Sequence, residues 1–69
     1  MTYESFGTWL ETQRRRRKLT QQALGAATGL KPSYVSKIEN GRIVLPDDNT
    51  RERIHQALGT TEDDLVAVG

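Results

Sequence analysis

The sequence predicts an all-α fold, a compact bundle of about five short helices, and three observations carry that reading. No stretch alternates apolar and polar residues with a period of two. Apolar residues recur instead at helical spacing, and Ser, Thr, Asp, Pro and Gly fall where helices start and stop. The chain has 69 residues, of which fifteen are Leu, Ile, Val or Phe, enough to fill one small core. A single domain over residues 1–69 is therefore expected, with no substrate pocket between lobes.

Each element has its own signals. Ser5 is placed to cap a first helix running to about Lys18, with Phe6 and Leu10 inward and Gln13, Arg14 and Arg17 continuing that face. Trp9 lies about 100° from that face and is expected at the edge of the core. Thr20 caps a short second helix that contributes Leu24 and Ala27 and stops at Thr28-Gly29. Pro32 suits the first position of a third helix, with Val35 and Ile38 inward and Gly41 as its stop. Ile43-Val44-Leu45 is expected to close the core before Asp47 caps a fourth helix, which buries Ile54, Ala57 and Leu58 and ends at Gly59. Thr61 starts a fifth, with Glu62, Asp63 and Asp64 near its positive end. Leu65 faces inward there, and with Val66 and Val68 either completes the core or forms a subunit contact.

Composition excludes several function classes. Cysteine is absent, which removes disulfides, Cys-ligated zinc and thiol catalysis together. The longest apolar run is four residues, so no span of a bilayer is expected, and Met1-Thr2-Tyr3-Glu4 does not open a signal peptide. A cytoplasmic, nucleoid-associated setting is the expectation. His55 is the one histidine, expected at the surface or rim; Asp47/Asp48 and Asp63/Asp64 sit at helix starts and lack the spacing of a calcium loop. No serine has a histidine partner for a triad and no Gly-rich phosphate loop exists, so neither enzyme nor cofactor nor metal is expected.

The net charge of +1 conceals an uneven distribution. Residues 1–45 hold eight Lys or Arg against Glu4, Glu11 and Glu39, whereas residues 46–69 hold Arg51 and Arg53 against six Asp or Glu. A basic front and an acidic back suit a chain that presents one side to a polyanion. The run Arg14-Arg15-Arg16-Arg17-Lys18 spreads around a helix instead of forming one claw, leaving Arg15, Arg16 and Lys18 solvated.

The informative stretch is 19–41, where two short helices meet at a three-residue turn built on Gly29, with small residues Gly25 and Ala26 allowing close approach. The outward positions of the third helix are Ser33, Tyr34, Ser36 and Lys37, all able to hydrogen-bond, a polar face that fits a helix in the DNA major groove. Position 34 falls off the Val35/Ile38 face, which favours a groove or phosphate contact for Tyr34 over packing, and Lys37 is the best candidate for guanine readout, with a plain phosphate contact as its alternative.

Residues 6–65 resemble the Cro/phage-repressor type of helix-turn-helix, the XRE family, whose domain is lambda-repressor-like. The matching residues are Gly7, Leu10, Arg14, the block Leu19-Thr20-Gln21-Gln22-Ala23-Leu24, Gly29, Val35, Ser36, Ile38, Glu39-Asn40-Gly41, Ala57-Leu58-Gly59 and Asp64-Leu65. The resemblance implies an internal ion pair between Arg14 and Glu39. It implies phosphate contacts by Gln21 and Asn40, with Thr20, Lys31 and Arg42 beside them, and base contacts by Ser33, Tyr34, Ser36 and Lys37. The chain departs from the family pattern at Gly25, where alanine is common and helix propensity is lowered by up to about 1 kcal/mol. Lys31-Pro32 replaces the usual Ser/Thr cap and its follower, and Gln13 stands at a usually apolar position.

The resemblance implies a sequence-specific regulator of transcription, a repressor, that reads double-stranded DNA through the helix at about 32–40. A homodimer, at least on DNA, would read an inverted-repeat operator, and control would come from concentration, oligomerisation or a regulatory protein partner. Phage repressor, restriction-modification controller and antitoxin all fit. The competing reading is a protein–protein interaction module, an adaptor or partner-dependent antitoxin, supported by near-neutral net charge, the acidic C-terminal third and few long readout side chains.

Overall fold

The computed structural model describes residues 5–60, which are all-helical: α1 (Phe6–Arg16), α2 (Gln21–Thr28), α3 (Pro32–Glu39) and α4 (Asp48–Leu58), with no strand among the described residues. The fifth helix expected from Thr61, and Leu65, Val66 and Val68 with it, lie outside the described residues.

Local chemistry sets the helix ends. Ser5 Oγ accepts from Thr8 N–H at 3.2 Å, Thr20 Oγ1 from Ala23 N–H at 3.0 Å and Asp47 Oδ1 from Thr50 N–H at 2.8 Å, each satisfying a first-turn donor the helix cannot. α3 has no side-chain cap and starts on Pro32, whose fixed φ suits that position. α1 stops two residues short of the expected Lys18, because Lys18 itself turns the chain with φ +55°. That left-handed backbone costs a residue with a Cβ about 1–2 kcal/mol. The Leu19 N–H then donates to the Arg14 carbonyl at 3.1 Å.

The core is built by Phe6, Trp9 and Leu10 of α1, Leu24 of α2, Val35 and Ile38 of α3, and Ile54 and Leu58 of α4. Several sequence expectations are corrected here. Trp9 is fully buried instead of lying at the edge, its ring tilted against those of Phe6 and His55 with centroids 5.4 Å apart in each pair. His55 is itself buried, with Nδ1 2.9 Å from Thr60 Oγ1, whereas Ala57 is exposed. On α4 the two residues flank the Ile54–Leu58 stripe on opposite sides, and α1 places its indole on the His55 side. Of the run expected to close the core, Ile43 packs against it but Val44 and Leu45 point outward.

Close helix approach comes from Gly7 and Gly25; Ala26 and Ala27 are exposed and take no part. A Cβ at Gly7 would lie 2.2 Å from the Ile38 carbonyl oxygen, so its absence lets α1 press onto the end of α3. A Cβ at Gly25 would lie 2.5 Å from the Leu30 carbonyl oxygen, and the Leu30 N–H donates back to the Gly25 carbonyl at 2.9 Å. The helix propensity sacrificed at Gly25 therefore secures the tight passage from α2 to α3.

Candidate nucleic-acid interface

The passage from α2 to α3 is the part of the molecule that arranges exposed polar side chains on a fixed frame. Gly29 ends α2 with φ +77° and ψ +17°, a conformation that a residue without Cβ takes without strain. The buried Thr28 hydroxyl donates to the Leu24 carbonyl at 2.8 Å, so the last turn of α2 keeps its polar groups satisfied. Lys31 accepts through its carbonyl from Tyr34 and Val35 N–H, and α3 proceeds.

Helical periodicity divides α3 into two sides. Val35 and Ile38 are fully buried and bolt the helix down. The opposite arc, about 100° wide, carries Ser36, Asn40, Ser33 and Lys37 in angular order. Ser33, Lys37 and Asn40 are exposed and Ser36 is half-buried. Asn40 Nδ2 donates to Ser36 Oγ at 3.2 Å, which joins two side chains that sequence reasoning assigned to different contacts. Tyr34 departs from its expected placement: it is half-buried and packs against the core, about 40° around the helix from Ile38. It stands at the border of the outer arc, not in its middle.

The end of α3 is locked by charge. Arg14 Nε donates to Glu39 Oε2 at 2.8 Å and Arg14 Nη2 to Glu39 Oε1 at 3.0 Å, a two-pronged pairing across 25 residues of sequence. Arg14 Nη1 donates to the Leu19 carbonyl at 2.8 Å. The Glu39 side chain is 1% exposed and that of Arg14 12%. Hydrogen bonding to Glu39 raises the Arg14 guanidinium above its already high ordinary pKa, against the opposing effect of burial. Gln21 joins them, its Nε2 donating to Glu39 Oε1 at 3.2 Å. One carboxylate thus ties α1, the start of α2 and the end of α3 together. An amide nitrogen has two hydrogens, so Gln21 keeps one for another acceptor.

Of the other residues singled out in the sequence, Thr20 uses its hydroxyl oxygen as the α2 cap, and Lys31 and Arg42 are exposed at the two ends of α3. Arg15, Arg16 and Lys18 are exposed, with Arg15 3.5 Å from Glu11. Arg17 does something sequence reasoning missed: its Nη2 donates to the Leu58 carbonyl at 2.7 Å, capping the end of α4, while Nη1 donates to Gln13 Oε1 at 2.8 Å. The Gln13–Arg17 spacing of four was the available signal for the second of these contacts.

A family model described as a helix-turn-helix domain matches residues 5–68. The chain belongs to the helix-turn-helix domain family. Among similar proteins is the HTH-type transcriptional repressor RghR of Bacillus subtilis (strain 168), 38% identical over 55 residues, covering 80% of this chain and 41% of that protein. Another is the uncharacterized HTH-type transcriptional regulator RghRB of the same organism, 36% identical over 62 residues, covering 90% of this chain and 45% of the relative. The chain spans less than half the length of these curated relatives. No solved structure matches. The family agrees with the XRE-type resemblance read from the sequence. No helix among the described residues is long and apolar enough to cross a membrane.

Proposed function

We propose that this helix-turn-helix domain is a sequence-specific, double-stranded-DNA-binding regulator of transcription, a repressor that works by occupancy and without catalysis. The observation that carries this reading is the division of α3: one side is immobilised by Val35, Ile38 and the Glu39 clamp, while Ser33, Lys37 and Asn40 are exposed on the other. A rigid helix with a polar outer arc is what major-groove recognition requires. Ser33, Ser36 and Lys37 reach base edges, with Tyr34 at the margin of the groove. Gln21, held by Glu39, offers its remaining N–H to a phosphate at the α2 N-terminus, a site whose backbone donors also favour an anion. Thr20, Lys31, Asn40 and Arg42 complete the phosphate contacts, which fix register while the bases supply specificity. The naming of one relative as a transcriptional repressor supports the direction of regulation.

One such module reads too few base pairs to select a site among genomic competitors. Two copies about 34 Å apart, one turn of DNA, would read an inverted repeat. The cytoplasmic, nucleoid-associated setting belongs to the same proposal, as does control through a protein partner. The test is selection of bound duplexes from a randomised pool at low and near-physiological salt. An enriched inverted repeat that survives the higher salt is the expected result. Binding that enriches nothing and disappears as salt rises is phosphate attraction alone, and would leave the protein-interaction module as the better account.

A further inference from the structure

In the basic run that ends α1, the fold uses two cations for itself. Arg14 is committed to Glu39 and the Leu19 carbonyl, and Arg17 to Gln13 and the Leu58 carbonyl. Arg15 leans on Glu11 at 3.5 Å. Lys18 is different. With φ +55° it is the one non-glycine residue of positive φ among the described residues, in a conformation that Gly29, Gly41 and Gly59 take without strain at other turns. Its side chain is exposed, and among the described residues no hydrogen bond or ion pair holds its ammonium. A costly backbone position therefore carries a cation that does nothing for the fold, and strain kept at such a place points to a use outside it.

The fold also fixes where that cation stands. Lys18 N–H donates to the Arg15 carbonyl at 3.0 Å. Leu19, the next residue, is held by Arg14 twice: its N–H donates to the Arg14 carbonyl at 3.1 Å and its carbonyl accepts from Arg14 Nη1 at 2.8 Å. Arg14 is tied in turn through Glu39 to Gln21 and to the end of α3. Lys18 is thus a corner of the clamp that seats the recognition helix. Three residues of chain span at most about 11 Å, so Lys18 and Gln21 stand within a few nucleotides of each other along a strand. Arg16, by contrast, lies about 200° around α1 from Arg14, on the side turned from α3.

We infer that Lys18 is a further phosphate contact, made on the strand that Gln21 touches, and that a lysine stands at this left-handed corner for its charge. The inference rests on the DNA-reading function proposed above. Such a contact carries no sequence information: it neutralises one phosphate, releases a counterion and fixes the register of α3. Duplex backbone is favoured over an acidic protein surface because the cation is braced to α3 and shares its corner with the spare N–H of Gln21.

The experiment measures affinity for the selected operator and for a random duplex between about 50 and 200 mM salt, with wild type, Lys18→Gly, Lys18→Arg and Arg16→Gln. Lys18→Gly is expected to bind both duplexes roughly fivefold more weakly at the lower salt, and to reduce the slope of log affinity against log salt by about 1. Its Tm should hold or rise by a few degrees, since glycine relieves the left-handed backbone. Lys18→Arg and Arg16→Gln should keep the wild-type slope. An unchanged slope in Lys18→Gly overturns the inference, and so does an equal loss in Arg16→Gln, which would be general charge attraction. A loss confined to the operator overturns it as well, as does a lower Tm, which would give the side chain a structural role. If wild type prefers neither duplex, the sequence-reading function fails by itself, and the slope on the random duplex still decides the Lys18 contact. Wild type that binds neither duplex overturns both.

Discussion

Replacing Arg14 by alanine should be the most damaging polar substitution in the described part of the chain. Three hydrogen bonds go at once, two to Glu39 and one to the Leu19 carbonyl. The Glu39 side chain, 1% exposed, would keep only the Gln21 amide as a partner. Removing one member of a buried ion pair costs about 3–5 kcal/mol, chiefly because a charge is left in a poorly solvating place. The residual Gln21 contact and the partial exposure of Arg14 put this case near the lower end, about 3 kcal/mol. A domain of this size has roughly 3–10 kcal/mol in total, so a third or more of its stability would go. At about 4–8 °C per kcal/mol, Tm should fall by about 12–24 °C. The assay is urea unfolding followed by circular dichroism, with thermal melts alongside. A second variant isolates the cause: Arg14→Met with Glu39→Leu removes both charges and should recover most of the loss, because the penalty lies in the orphaned carboxylate. A loss under about 1 kcal/mol for Arg14→Ala, the scale of an exposed pair, would refute the reasoning.

Gly25→Ala, which raises intrinsic helix propensity, should nevertheless destabilise by about 1–3 kcal/mol, because the methyl meets the Leu30 carbonyl oxygen; a higher Tm in the same melt would contradict the packing account. Lys37→Ala should leave Tm within a degree of wild type and cut the preference for operator over random duplex by about 1–3 kcal/mol, read by competition binding. Tyr34→Ala should lower Tm through lost packing as well as altering binding, and Tyr34→Phe should restore the Tm alone; equal melting of all three proteins would place the ring outside the core. Hydrogen bonds from Thr50, side chain first and then backbone, hold the Asp47 carboxyl below its ordinary value. Its contribution is therefore complete above the unfolded value near 3.8 and is lost as pH falls through the lower folded value. Asp47→Asn keeps the cap without the titration and should flatten that part of the Tm-against-pH curve; an unchanged acid slope would show that other groups set it.

The helix ends were legible because caps are local chemistry: Ser5, Thr20, Asp47, Gly29 and Gly59 act within a few residues of where they stand. The helix-turn-helix was legible because spacing and residue type coincide over residues 19–41. What was misread depends on which flank of a stripe the rest of the fold covers. His55 and Ala57 lie on either side of Ile54 and Leu58, and hydropathy alone favours burying the alanine. The position of Trp9 reverses that choice, and no pattern within α4 contains it. Tyr34 was misjudged for a related reason, since a ring long enough to reach the core need not start on the core-facing stripe. Gln21 was correctly placed at the start of α2, yet its bond to Glu39 spans 18 residues and two helices. The exposure of Val44 and Leu45 follows from Pro46 taking the buried place beside them.

The two-sided construction of α3 has a consequence for how such a chain changes over time. Ser33 and Lys37 project from a helix whose seat is fixed by Val35, Ile38 and Glu39, so exchanging them leaves the seat undisturbed. Under the proposed function, mutations on the outer arc are filtered by what the helix reads, and mutations on the inner side by whether the chain folds. The two kinds of selection act on different residues of one eight-residue segment. On that proposal, a lineage can acquire a new target site by single steps, each of them folded.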